Sequence, residues 1–389
     1  MTRNAWMARL PHMPRTGAAS WLMLAAVSSS PALAQAPDWT YATPGFEWQF
    51  PRDHWAHPGY KTEWWYFTGQ LTDTSDSTRR FGYQFTFFRV GVSPDSLPIN
   101  STWAVTDLVM GHAALTDLAT KTHRFSELVY RANGLLGGFP QPQDSVVAWS
   151  RAPAGTDGVW ELRWVDQRFA FTAIDDRAGF AFALETRPEK PLVFQGPNGY
   201  SRKGNSQTAA SLYYSFTRLS TSGTVTIDGK EYTISGESWM DKEFGSNQLT
   251  GNQVGWDWFS LRLNDGRDVM VYRLRDRDGT TDFARATVVS PEATPRFQGG
   301  DAWDVEVLDT WRSPATGAEY PIRWRIGARD EGISFVVTAE LPDQENVSRL
   351  VPGLFYWEGS VVVTDESGLF LGVGYVELTG YGTATPPAI

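Results

Sequence analysis

The chain has 389 residues, 41% of them hydrophobic and 14% aromatic, with 18 Trp, no Cys, and 44 acidic against 34 basic side chains. That length fits one large or two ordinary domains, and the lack of cysteine excludes a disulfide framework or a lipid-modified Cys. The acidic balance argues against nucleic acid or an anionic membrane surface as main partner, which leaves neutral or apolar ligands.

Residues 1–34 read as a cleaved Sec-type export signal. Arg3, Arg9 and Arg15 lead, Gly17 to Val27 form a short apolar run, and Ala32-Leu33-Ala34 offers a small-x-small cleavage site. The run is about half of the ~20 residues that a membrane span needs. Removing the leader takes away three Arg and no acid, leaving 31 Lys+Arg against 44 Asp+Glu, a net charge of −13. A periplasmic or secreted location is expected.

Strand signals follow in series. The first unit, 38–220, carries them at 63–71, 82–90, 159–165, 168–174, 180–186 and 212–219. The second, 221–383, carries them at 224–228, 231–236, 256–263, 268–275, 322–327, 333–339, 355–363 and 370–378. Aromatic and polar residues alternate between turn residues, the pattern of half-buried antiparallel strands, with hairpins at Asp228-Gly229 and Asn264-Asp265-Gly266. Apolar residues at 125, 128 and 129 predict a short helix over Phe125 to Ala132, and 384–389 reads as a flexible tail. The expected class is all-β, two antiparallel barrel or sandwich domains side by side with little helix.

Trp64-Trp65-Tyr66-Phe67-Thr68 aligns with Trp256-Asp257-Trp258-Phe259-Ser260, and Phe85 to Arg89 with Val271 to Arg275, a faint repeat of two β units. On a strand, Trp64, Tyr66 and Thr68 share one face, and Glu63, Trp65 and Phe67 share the other. Both faces carry rings, so this strand is expected to be covered on both sides. Glu63 is read at the mouth of an apolar space, where desolvation would raise its pKa, or at a solvated strand end.

In Glu237-Ser238-Trp239-Met240-Asp241-Lys242-Glu243-Phe244, an extended backbone puts Asp241 and Glu243 on one side with Trp239 beside them. Two carboxyls against an indole are suited to split pKa values and proton transfer, or form a charged strand end balanced by Lys242. Tyr272 is a candidate hydrogen-bond donor to the same space, or a packed core tyrosine. Arg89 and Arg275 are read as partners for Asp241, Glu243 or Glu358. His54 and His57 with Glu63 fit a turn better than a metal site; His57 is a candidate pocket acid or a satisfied loop histidine. His112 is read as a strand residue with a backbone partner. No metal or cofactor is expected.

HPGYKTEWWYFTGQL, GYQFTFFR, QGPNGYSRKG with LYYSFTRL, ESWMDKEFGSN, GWDWFSLRLNDGRDVMVYRLR, and FYWEGSV with GYVELTGY resemble the exported AttH branch of the carotenoid 1,2-hydratase (CrtC) family, from about His54 to Tyr381. The resemblance implies two lipocalin-like β domains with a hydrophobic chamber near their junction and an acid able to protonate an alkene, without a redox cofactor. Where those hydratases carry Asp-His-Asn-Trp, this chain has Asp241-Lys242-Glu243-Phe244. The "hydrolase" label of this branch has no nucleophile motif here: no G-x-S-x-G occurs.

Two functions of different class fit. One is a hydratase-like lyase or isomerase acting on an isoprenoid-like lipid, with Asp241 or Glu243 as proton donor and Trp64, Tyr66, Trp239, Trp256 and Trp258 as the ligand-binding rings. The other, favoured slightly by the missing His, is a carrier of a hydrophobic small molecule or lipid, an accessory of an ABC export system that the resemblance brings to mind. The oligomeric state is not legible.

Overall fold

A computed structural model describes residues 38–95, 100–206, 208–328 and 332–382; the expected leader and tail lie outside them. Among the described residues the chain is antiparallel strand throughout, with helix confined to 3-10 turns at Arg52–His54, Pro197–Gly199 and Gly300–Ala302.

The first sheet comprises β1 (Thr62–Asp73), β2 (Asp76–Gly91), β3 (Asp107–Asp117), β4 (Thr122–Arg131), β5 (Gly137–Gly138), β6 (Val146–Arg151), β7 (Val159–Val165), β8 (Arg168–Asp175), β9 (Phe180–Pro188), β10 (Val193–Phe194), β11 (Tyr200–Arg202), β12 (Ala210–Ile227) and β13 (Lys230–Asn247). Its order is β4-β3-β2-β1-β13-β12-β9-β8-β7-β6-β5, with β10 and β11 paired to β12. The second comprises β14 (Gln253–Leu263), β15 (Asp268–Asp276), β16 (Thr281–Val289), β17 (Pro295–Gly299), β18 (Asp304–Arg312), β19 (Glu319–Ala328), β20 (Ile333–Ala339), β21 (Glu345–Val347), β22 (Phe355–Thr364) and β23 (Phe370–Thr379). Its order is β17-β16-β15-β14-β23-β22-β20-β19-β18, with β21 paired to β22. The first sheet curls into a barrel and the second into a half-barrel. The chain passes between them after Asn247, whereas the expected division at 220/221 falls inside β12.

Alternation builds three apolar layers rather than two. Trp65, Phe67 and Leu71 of β1 and Phe81, Tyr83, Phe85 and Phe87 of β2 point into the barrel, where Phe169, Phe171 and Phe182 meet them. Phe259, Leu261, Trp324, Phe335, Trp357 and Val361 fill the half-barrel. Each such side chain contributes about 1.5–3 kcal/mol when fully buried. The outward positions of the same strands meet in a third layer, with Tyr66, Tyr213 and Trp239 from one sheet and Trp258, Tyr272, Leu274 and Tyr375 from the other. β1 is therefore covered on both faces, as its rings imply: barrel core on one side and the second sheet on the other.

Three sequence readings need correction. Phe125 to Ala132 is strand, not helix: it lies in β4, where Leu128 packs into the barrel core and Phe125 lies against His112 and Tyr356 on the opposite face. With apolar residues on both faces, the spacing at 125, 128 and 129 imitates a helix. β6, β16 and β18 were not read as strands, and β3 was read only through His112; there Gly111 and two alanines dilute the β-branched and aromatic signal although the strand interior is fully covered. The strand expected to stop at Gly236 runs on to Asn247, because that glycine admits the Gln70 carbonyl of β1 where a Cβ would collide with it.

Candidate site: a chamber between the two sheets

Cross-strand register explains how residues far apart in the chain gather in the third layer. In the barrel sheet one row runs Ser215, Asp241, Tyr66, Thr86 and His112, and the next runs Tyr213, Glu243, Trp64, Phe88 and Met110. In the half-barrel sheet one row runs Tyr272, Trp258, Glu377 and Glu358, with Leu274 and Trp256 beside it. All of these residues but Ser215 line a cavity of about 130 Å³, which Gln248, Leu249, Val351, Leu354 and Phe355 also border. The volume is close to the ~150 Å³ of a buried apolar cavity that takes up benzene.

The indoles and phenols are held by ring contacts. Tyr66 stands edge-on to Trp258 at 5.2 Å, and Trp239 packs behind Trp258 at 6.2 Å. Trp239 is fully buried and does not line the cavity; its indole donates to Asp241 Oδ1 at 2.7 Å.

Asp241 accepts two further hydrogen bonds, from Ser215 and from the Tyr213 hydroxyl at 2.7 Å. Burial pushes its pKa up to about 7; the three donors pull it back, and neighbouring Glu243 adds to the rise. Glu243 is held differently. Lys203 pairs with it at 2.7 Å and Ser211 donates to it, so its charge is matched within the wall. Lys203 also lies over the Tyr213 and Tyr272 rings, at 5.1 and 4.6 Å. Tyr272 lines the chamber, but its hydroxyl donates to the Arg202 carbonyl at 2.7 Å.

Two acids in the opposite wall were not singled out from sequence as site residues. Glu377 is pushed up to about 7 by burial, with Asp241 and Glu243 adding and the Trp256 indole opposing. Glu358, its cross-strand neighbour, is pushed well above the carboxylate range by burial and by Glu377; the Tyr66 hydroxyl beside it offsets only part of this. A lone acid inside an apolar strand was their one sequence signal, in Phe355-Tyr356-Trp357-Glu358 and in Gly374-Tyr375-Val376-Glu377. His112 also belongs to the chamber. Its Nδ1 contacts the Tyr356 hydroxyl at 2.7 Å rather than a backbone group, and burial lowers its pKa to about 3, so the ring is neutral.

Glu63 does not belong to the chamber. It lies on the Trp65 face, where Lys242 and His57 Nδ1 (2.6 Å) meet Oε1, while the His57 amide (2.7 Å) and Arg89 (3.1 Å) meet Oε2. Burial alone would raise its pKa, but Lys242, His57 and Arg89 together drive it below the ordinary range, opposite to the expected direction. His57 serves this cluster and stacks on Phe244 at 3.8 Å, and Lys242 lies 3.4 Å above the Trp65 ring. The arginines also pair elsewhere than expected: Arg89 with Glu63 and Asp107, Arg275 with Asp257. Among the described residues Asp241, Glu358 and Glu377 thus have no arginine partner, which leaves desolvation to act on them.

Comparison with known proteins agrees with this architecture. The AttH-like family model matches residues 41–381. A solved structure from Nitrosomonas europaea, assigned as AttH, is 31% identical; the match covers 88% of this chain and 99% of that one, with a TM-score of 0.76. Kievitone hydratase from Nectria haematococca shares the fold at 15% identity, with 90% and 97% covered and a TM-score of 0.62. No curated protein matches at comparable stringency.

Proposed function

The chain belongs to the AttH-like family, and from that premise and the chamber's chemistry we propose a cofactor-free acid–base enzyme for the unsaturated end of a small isoprenoid- or lipid-like molecule. One observation carries the reading. Asp241 and Glu377, from opposite walls of an apolar chamber, both titrate at about 7, where a group gives and takes a proton with equal ease.

In the proposed step one of the pair, protonated, transfers its hydrogen to an alkene carbon. The O–H bond breaks, a C–H bond forms, and positive charge develops on the adjacent carbon. The faces of Trp64, Trp256 and Trp258 favour that charge over the neutral alkene. Water then adds and returns a proton to the carboxylate, giving an alcohol, or the carboxylate removes a neighbouring proton, giving an isomer. Protons balance in both.

The Lys at position 242 no longer weighs against chemistry, because its side chain lies on the Glu63 face, away from the chamber. Export by the leader is part of the proposal and would set the reaction outside the cytoplasm. The alternative, a carrier beside an ABC export system, uses the same chamber without turnover.

The test is incubation of the purified protein with a lipid extract of its own cells, followed by native mass spectrometry and analysis of the released ligand. A gain of one water or a shifted double bond, absent with Asp241→Asn/Glu377→Gln, supports the enzyme. A retained, unaltered ligand supports the carrier.

A further inference from the structure

The chamber is not uniformly apolar, and its polar atoms are unevenly satisfied. Asp241 and Glu243 are fully engaged by neighbours. At the other end, among the described residues, His112 Nε2 has no hydrogen-bond partner, and the Tyr66 hydroxyl and the Glu358 carboxyl lie beside each other with no partner beyond that pair. These are deeply buried residues: Tyr66 is 7% exposed, His112 3% and Glu358 1%. All three line the same cavity. Buried polar groups in folded proteins nearly always find a partner, and each one left without costs roughly 1–3 kcal/mol. Tyr66 and His112 from the barrel sheet and Glu358 from the half-barrel sheet thus face one cavity with hydrogen-bonding capacity to spare.

The orphaned atoms also have complementary roles. Tyr66 stays protonated, its pKa raised well above the ordinary value by burial and then by Glu358 and Glu377, so it offers an O–H. The neutral His112 ring shares Nδ1 with the Tyr356 hydroxyl, and its unpartnered Nε2 offers an N–H or a lone pair according to which of those two donates. Glu358, its carboxyl biased toward the neutral form by burial, offers acceptor sites and, when it carries the proton, a donor. Together they match an oxygen atom that both accepts and donates, as a hydroxyl does. A pure hydrocarbon would cover these groups without bonding to them and leave each one desolvated.

We propose that Tyr66, His112 and Glu358 form an oxygen-recognition subsite, and that the ligand is an oxygenated compact molecule carrying a hydroxyl near its double bond rather than an all-hydrocarbon polyene. This rests on the chamber reading above and narrows its substrate class. The small cavity agrees with it: about 130 Å³ admits a ring or a short branched chain, and selectivity at that size comes from polar contacts rather than from length.

The test uses two matched probes, 4-vinylphenol and styrene, which differ by one hydroxyl. Isothermal titration calorimetry with the intact protein should give an affinity for 4-vinylphenol at least tenfold above that for styrene. Tyr66→Phe and Glu358→Gln, both near-isosteric, should shrink the preference toward unity. Equal affinities for the two probes in the wild type, or a preference that survives both substitutions, overturns the subsite while the chamber reading stands. If neither probe binds, the chamber reading falls with it.

Discussion

Asp241 and Glu377 come from strands of different sheets, β13 and β23, yet the charge of one raises the pKa of the other across the chamber. Burial is the larger cause of the rise in both, and the charge across the chamber adds to it for Glu377. Neither acid has an arginine or lysine of its own, and the lysine on that wall is held by Glu243.

Stability should therefore respond to pH through the chamber. Both acids have folded pKa values raised from 3.8 and 4.5 to about 7. The stabilisation they confer is complete below the unfolded values and is lost as pH rises through about 7. Asp241→Asn/Glu377→Gln removes this titration. Urea unfolding near pH 5 and near pH 8 should show the variant gaining on the wild type at the higher pH, by on the order of a few kcal/mol. A constant difference at the two pH values contradicts the assignment.

Turnover should separate from binding at Asp241. Asp241→Asn keeps the hydrogen-bonding outline and loses the transferable proton, so a rate loss of about 10²–10⁴ is expected with ligand affinity within severalfold. Calorimetry alongside product analysis measures the two independently.

The cluster on the other face of β1 predicts the reverse pattern. Lys242→Met leaves Glu63 buried without its ammonium partner and should cost about 3–5 kcal/mol of stability. Lys242→Met/Glu63→Gln should recover most of that loss, and ligand binding should be unchanged wherever the variants fold. Chemical denaturation of the wild type, the two single variants and the double variant gives the coupling.

Trp256 and Trp258 should differ in what their removal does. Trp258 is buried among Tyr66, Trp239 and Tyr272, so Trp258→Ala should lower stability by about 3–5 kcal/mol. Trp256 is only half-buried, and Trp256→Ala should mainly weaken ligand binding. Thermal melts and calorimetry on both variants decide this.

Much of this site was legible because strand geometry is periodic. The alternation of Glu63 to Thr68 put Trp64 and Tyr66 on one face, and the same rule put Asp241 and Glu243 together. It also placed Glu63 on the opposite face, although the aromatic run suggested a pocket mouth. What alternation cannot give is partnership across the fold. Lys242 meets Glu63 from 179 positions away, and Arg89 and Arg275 pair with Glu63 and Asp257, partners that no spacing assigned to them. Glu358 and Glu377 were missed as site residues because a single acid in an apolar strand carries no pattern, only incongruity. The β4 error has the opposite cause: two covered faces supplied too many apolar residues for one period to dominate.

The three apolar layers have a consequence for how such proteins diversify. Two layers lie inside the barrel and inside the half-barrel, away from the proposed chamber, which lies in the seam where two outer surfaces touch. Substitutions of the chamber-lining positions along that seam should retune which molecule is accepted while leaving either interior intact.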